Sequence, residues 1–186
     1  MTRSNRRWHG HLLLPLLLCG LPAAGRAQAG PAAGTGAPLG FLGFQAGATL
    51  AAIEDQLIDL GGDPLRCRVS RSDSTLAECR ATFPDSVTGL VVDVWVASMD
   101  RVAGILTLSA SPGEGQLLQW RRGLEAVYGR VSPRVQASQW MMQWVRQGRM
   151  IRLTWRLASG GQQMSVSLVD GPVLDGWARR GERSEK

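Results

Sequence analysis

The stretch that decides the fold covers residues 140–168, WMMQWVRQGRMIRLTWRLASGGQQMSVSL. Reading Gln147-Gly148 as a two-residue turn sets Trp144 opposite Ile151, Met142 opposite Leu153 and Trp140 opposite Trp155, and residues opposed across a hairpin share one side of the sheet. Reading Gly160-Gly161 as the next turn sets Leu157 opposite Met164, Trp155 opposite Val166 and Leu153 opposite Leu168. Two turns chosen independently thus put one apolar face on three adjacent strands, with Trp140, Trp144 and Trp155 expected in the core. The other face carries Met141, Gln143 and Val145, then Met150, Arg152, Thr154 and Arg156, then Ser165 and Ser167. Such a sheet is dry on one side and polar on the other.

Upstream, Leu90, Val92, Val94 and Val96 alternate with Val91, Asp93, Trp95 and Ala97, and a turn around Met99 sets them against Gly104, Leu106 and Leu108. Residues 48–60 place Leu50, Ile53, Leu57 and Leu60 on one helical face, with Thr49 to cap the start and Gly61-Gly62 to end it. A second helix is expected to open at Ser111-Pro112-Gly113-Glu114, where Ser111 and Glu114 have capping-box spacing and Pro112 suits the first helical position. Leu117, Trp120, Leu124 and Val127 repeat the first helix's spacing at an offset of 67 residues, and Gly129 closes the pattern. The expectation is an α+β fold by internal duplication. Two tandem helix-plus-antiparallel-strand repeats, about 44–110 and 111–177, form one sheet with two helices packed on one face.

Residues 1–29 have a basic head with Arg3, Arg6 and Arg7, an apolar stretch from Leu12 to Leu21, then small residues. This is the layout of a secretory signal peptide, with cleavage after Ala27 or Ala29. Pro15 interrupts the apolar stretch, which is half of the roughly 20 residues that cross a bilayer, so no transmembrane segment is expected after processing. Leu18 stands where lipoprotein processing wants a small residue, which disfavours a lipid anchor at Cys19. The chain is therefore expected in the periplasm or secreted. Residues 30–43, GPAAGTGAPLGFLG, read as a flexible leader, residues 44–177 as one domain, and residues 178–186 as a basic disordered tail.

The remaining cysteines lie in CRVSRSDSTLAEC, residues 67–79. A hairpin centred on Asp73 puts Cys67 directly opposite Cys79 and Val69 opposite Ala77, within reach of a disulfide. Zinc would need two further ligands, and a catalytic redox pair prefers closer spacing at a helix start, so a structural staple is expected. Oxidised cysteines also fit an exported protein.

Composition narrows the chemistry further. Both histidines, His9 and His11, precede residue 30, and the only lysine is Lys186. Residues 30–186 therefore lack an imidazole for general acid–base work, for a nucleophile's base or for a metal. No metal and no cofactor are expected, since there is no phosphate-cradling glycine loop and no hydrolase elbow. Arg3, Arg6, Arg7 and Arg26 also lie ahead of residue 30, leaving 17 basic against 15 acidic side chains. That balance gives no ground for a nucleic-acid partner.

The run GATLAAIEDQLIDLGGDP, residues 47–64, resembles the glycine- and threonine-capped helix of the SmpA/OmlA-type outer-membrane-assembly lipoproteins. Gly47, Thr49, Ile53, Leu57 and Pro64 match, while Leu60-Gly61-Gly62 adds three residues before the closing glycine. The doubled plan is similar to the tandem fold of the β-lactamase-inhibitor proteins. The resemblance implies a non-enzymatic fold that binds proteins or envelope components. The expectation is thus a non-catalytic exported binding or accessory module with a protein partner in the cell envelope. Its candidate contact residues are Trp95, Met141, Arg152, Arg156 and Trp177. The alternatives are a structural subunit of an envelope or membrane complex, for example an electron-transfer or photosynthetic one, and a carboxylate-based hydrolase using Asp93 with Arg152.

Overall fold

Turn chemistry sets the strand registers, and the registers decide which side chains meet. The computed structural model describes residues 38–111, 115–158 and 161–184, so residues 1–29, expected to be a signal peptide, and the first part of the expected leader lie outside the described residues. In chain order the elements are β1 (Gly40–Phe41), β2 (Phe44–Gln45), α1 (Leu50–Asp59), β3 (Arg66–Val69), β4 (Leu76–Pro84), β5 (Val91–Met99) and β6 (Val102–Ala110). After them come α2 (Gln116–Tyr128), β7 (Arg134–Gln136), β8 (Gln139–Arg146), β9 (Arg149–Ala158), β10 (Gly161–Asp170) and α3 (Gly171–Ser184). β1 and β2 form a small hairpin, and the other eight strands form one sheet in the order 3-4-5-6-10-9-8-7. All its pairings are antiparallel. The sequence helix-then-four-strands occurs twice, and the two sets meet along β6 and β10.

Gln147 and Gly148 both have positive φ, 50° and 74°, as a tight hairpin turn of the primed type requires. The β8–β9 register is the expected one, with Trp144 opposite Ile151, Met142 opposite Leu153 and Trp140 opposite Trp155. The β9–β10 register is shifted by two residues. Gly161 pairs with Ala158, so Trp155 faces Met164, Leu153 faces Val166 and Ile151 faces Leu168, and the connection is residues 159–160. A shift of two preserves the faces, because side chains alternate with period two. It does change the reach of the apolar layer. Leu157 lies opposite Gln162, beyond the core edge, and is 84% exposed. On β5–β6, Val94 and Val96 face Leu108 and Leu106. The turn falls at Asp100 and Arg101, both with positive φ, rather than around Met99. Ala97 pairs with Ile105 while Ser98 pairs with Ala103, which leaves Gly104 as the extra residue of a bulge.

Leu50, Ile53 and Leu57 of α1 are buried, and the Thr49 hydroxyl accepts from the Ala52 amide at 3.2 Å. Gly61 (φ 70°) turns the chain out of the helix. α2 begins later than the sequence suggests, at Gln116 with Gly115 as its cap; residues 112–114 of the expected capping box lie outside the described residues. Its buried residues are Gln116, Trp120 and Leu124, whereas Val127 is exposed. The stripe is rotated because the Gln116 amide is drawn inward to Asp85 and Thr88 (Nε2 to Oδ2 2.7 Å, to Oγ1 3.1 Å). Both helices join the core cluster with Val92, Val94, Val96, Leu106, Leu108, Ile151, Leu153, Val166 and Leu168.

Two boundaries differ from the sequence reading. The last part of the leader belongs to the fold. Leu39 is fully buried, Phe41 sits edge-on to Trp120 at 5.1 Å, and the Tyr128 hydroxyl donates to the Gly40 carbonyl (2.6 Å) and accepts from its amide (2.8 Å). Residues 178–184 of the expected disordered tail are also helical, because α3 extends to Ser184. Asp170 Oδ1 accepts from the Val173 amide at 3.0 Å, and Arg180 pairs with Asp100. Leu174 and Trp177 approach Gly104 so closely that a Cβ there would lie 2.9 Å from each. Gly176 admits Met99 with the same closeness, so α3 packs beside the side of β5 that points away from α1 and α2. Among the described residues no helix is long and apolar enough to cross a membrane.

Candidate functional site on the polar sheet face

Strand registers bring the polar side chains into rows that run across the sheet. One row is Thr82, Asp93, Ser109, Ser165, Thr154, Met141 and Arg134, from β4 to β7. The next is Arg66, Arg80, Trp95, Thr107, Ser167, Arg152 and Gln143, from β3 to β8. The centre of the face is tied by hydroxyl pairs between neighbouring strands, Thr107 to Ser167 at 3.0 Å and Thr154 to Ser165 at 2.7 Å. Depressions follow the rows. One of about 380 Å³ is bordered by Asp93, Ser109, Gln139, Thr154, Arg156 and Gln163, among others. One of about 710 Å³ is bordered by Asp63, Arg66, Arg80, Asp93, Trp95 and Thr107, among others.

Four of the five candidate contact residues share this face. The Trp95 indole N–H donates to Glu78 Oε1 at 2.9 Å, which fixes the ring. Hydrogen bonds from Arg80 and then from Trp95 hold the Glu78 carboxyl below the usual range, since both stabilise its ionised form. Arg152 donates through Nε and Nη2 to Gln143 Oε1 (3.3 and 3.1 Å), and Arg156 through the same pair of nitrogens to Gln163 Oε1 (3.1 and 2.9 Å). Met141 is half-buried between them and Arg134. Trp177 is different. Its ring packs on Gly104, and its indole N–H is enclosed without a hydrogen-bond partner, so it belongs to the fold and not to an open contact surface.

Asp93 and Arg152 are not brought together. β6 and β10 lie between their strands, and three strand spacings amount to about 14 Å. Asp93 does share the larger depression with Asp63, whose Oδ2 accepts from the Thr82 hydroxyl at 2.7 Å. Cys67 and Cys79 are opposed across β3 and β4 with Sγ–Sγ 2.00 Å. This is the expected staple. Among the described residues no group of three or more His, Cys, Asp or Glu is placed to hold a metal ion.

Sequence reasoning missed one surface. Trp140 is not core but 47% exposed, stacked on Trp155 at 6.3 Å and 9°, next to exposed Val135 and Leu157. The usable signal was length. β9 has ten residues, about 33 Å of strand, and the thirteen residues of α2 span only about 20 Å, so one strand end must project past the helix.

No protein-family model matches the chain, and no curated protein or solved structure shows a significant match.

Proposed function

We propose that this chain is an exported, non-catalytic binding or accessory module of the cell envelope that holds a protein partner against its polar sheet face. The observation that carries the proposal is the seven-strand row with Trp95 and Arg152 in it. Aromatic and guanidinium groups are the side chains interfaces favour, and here they are fixed by cross-strand bonds before any partner arrives, which lowers the entropy cost of association. The basic-then-apolar start of the sequence and the Cys67–Cys79 bond support placement in an oxidising compartment outside the cytoplasm. The repeated order of helix and four strands supports origin by internal duplication. A carboxylate-based hydrolase remains the second reading, on Asp63 and Asp93 bordering one depression.

A photo-crosslinking residue at Thr107, in the middle of the face, should give one product of defined mass from intact envelope. The same residue at Glu54, on the exposed side of α1, should give none. Equal products from both positions, or none from Thr107, would remove the face from consideration.

A further inference from the structure

The charges on the polar face are unevenly divided. β3–β6 carry acids and bases together: Glu78 is ion-paired with Arg80 at 2.7 Å, and Asp93 lies one row away. β7–β10 place Arg134, Arg152 and Arg156 on this face and no carboxylate; the one acid in those strands, Asp170, is buried and paired with Arg149 at 2.6 Å. Arg152 and Arg156 are both anchored by neutral amides instead of acids, one by Gln143 on β8 and the other by Gln163 on β10. The anchoring uses Nε and one N–H of Nη2. A guanidinium has five N–H donors, so the Nη1 pair of each and an Nη2 proton of Arg156 remain for a second acceptor, while Arg152 Nη2 also donates to the Met150 thioether at 3.6 Å, a weak acceptor that a carboxylate displaces. The two forks are also held at a fixed separation. Their Cα atoms stand four residues apart on one strand and on one side of it, about 13 Å, and the forks lean to opposite neighbours, Arg152 toward β8 and Arg156 toward β10. Thr154 stands between them, its hydroxyl engaged with Ser165.

We infer that this half of the face takes an acidic protein segment with glutamates at positions i and i+4 of an extended strand, whose backbone spacing of about 13 Å matches that of Arg152 and Arg156. The inference rests on the binding role proposed above and names the partner's chemistry. Each carboxylate meets one fork end-on in two parallel N–H···O bonds, the geometry in which arginine discriminates planar acids. The anchoring glutamines keep both planes oriented without neutralising them. The positive field of Arg134 beside the pair adds long-range attraction that salt screens.

The test titrates the full chain with three nine-residue peptides of alternating Thr and Val. One carries Glu at positions 3 and 7, one carries Gln at both, and one carries Glu at positions 3 and 6, which point to opposite sides. Binding is read from the arginine Nε–Hε resonances. The 3,7-Glu peptide should bind at least ten-fold tighter than either control and shift Arg152 and Arg156 together. Arg152→Gln and Arg156→Gln should each abolish that preference, and Arg152→Lys should keep only part of it. Equal affinity for the three peptides overturns the inference. So does movement of both resonances with phosphatidylglycerol vesicles or a single-stranded oligonucleotide but not with the 3,7-Glu peptide, which would make the acceptor a phosphate. If the Thr107 crosslink persists undiminished in the Arg152→Gln, Arg156→Gln chain, the face binds its partner by other means and only the acidic chemistry falls.

Discussion

The Cys67–Cys79 bond gives the most exacting test of the physical account, because its two ends sit in very different surroundings. Cys67 lies on β3, whose four residues are all exposed and which pairs with β4 alone. Cys79 is fully buried. Breaking the bond therefore removes few native contacts, and most of its effect should fall on the unfolded chain. The cysteines are separated by 12 residues, and closing a loop of that size restricts the unfolded ensemble by about 3 kcal/mol on the chain-entropy account. For a domain of this size each kcal/mol moves Tm by roughly 2–4 °C, so reduction should lower Tm by roughly 6–12 °C. The measurement is urea unfolding of the oxidised chain, of the same chain in a phosphine reductant, and of the Cys67→Ala, Cys79→Val variant, in which the valine refills the buried position. The reduced and substituted proteins should agree within about 1 kcal/mol. A loss below about 1 kcal/mol in both would refute the entropic reasoning. A substituted protein much weaker than the reduced one would place the stabilisation in native packing at Cys79.

Three further substitutions probe the core, its edge and its charges. Trp144 is 5% exposed and donates to the Gly129 carbonyl at 2.8 Å, so Trp144→Ala should cost about 3–5 kcal/mol. Trp140→Ala, which gives up a half-exposed stack, should cost about 1 kcal/mol; equal losses in chemical denaturation would show that Trp140 is covered. Asp85 is buried, and burial alone would raise its pKa. Hydrogen bonds from the Val87 amide, Gln116 and Thr88 outweigh that and hold it below the usual value. The folded pKa is the lower one, so the unfolded chain takes up the proton first on acidification. The stabilisation is full well above the unfolded value of about 3.9 and is lost as pH falls through the folded value. Asp85→Asn should cost about 1–2 kcal/mol at pH 7 and flatten the decline in urea midpoint below pH ~5. An unaltered acid decline would contradict this assignment.

Pattern and turn chemistry together made the sheet legible, and each succeeded where the other also had information. Gln147-Gly148 was readable as a turn because one residue pair served both the alternation and the backbone. Next to Ala158 there were several small residues to choose from, and alternation reports only the parity of a register, so a displacement of two is silent until Leu157 is found in solvent. Gly104 was readable as a small residue facing Val strands, but its actual service is to let Leu174 and Trp177 approach. That contact is long-range and has no local signature. α3 was hidden by Gly171, Pro172, Gly176 and its charged end, all of which argue against a helix by propensity; tertiary packing and the Asp170 cap override them. On the polar face, Trp95, Met141, Arg152 and Arg156 could be assigned from alternation alone. The neutral anchoring of the two arginines could not, because it depends on which glutamines stand opposite them.

The joint between β6 and β10 also shapes how the chain can go wrong. Every other ladder of the large sheet closes a connection between chain neighbours, while this one pairs Ile105–Ala110 with Met164–Val169, as in Thr107 and Ser167, 60 residues apart. Closing so long a loop is the entropically dearest contact to form, and topology of that kind slows folding. Until it closes, the chain is two meanders, each ending in a bare strand of nine or ten residues. The finished sheet shows only β3 and β7 at its edges, four and three residues long. Folding thus hides the two long edges against each other. Two chains caught before that moment have complementary edges to exchange, so domain-swapped dimers are the expected misassembly, and substitutions along the joint are where they should first appear.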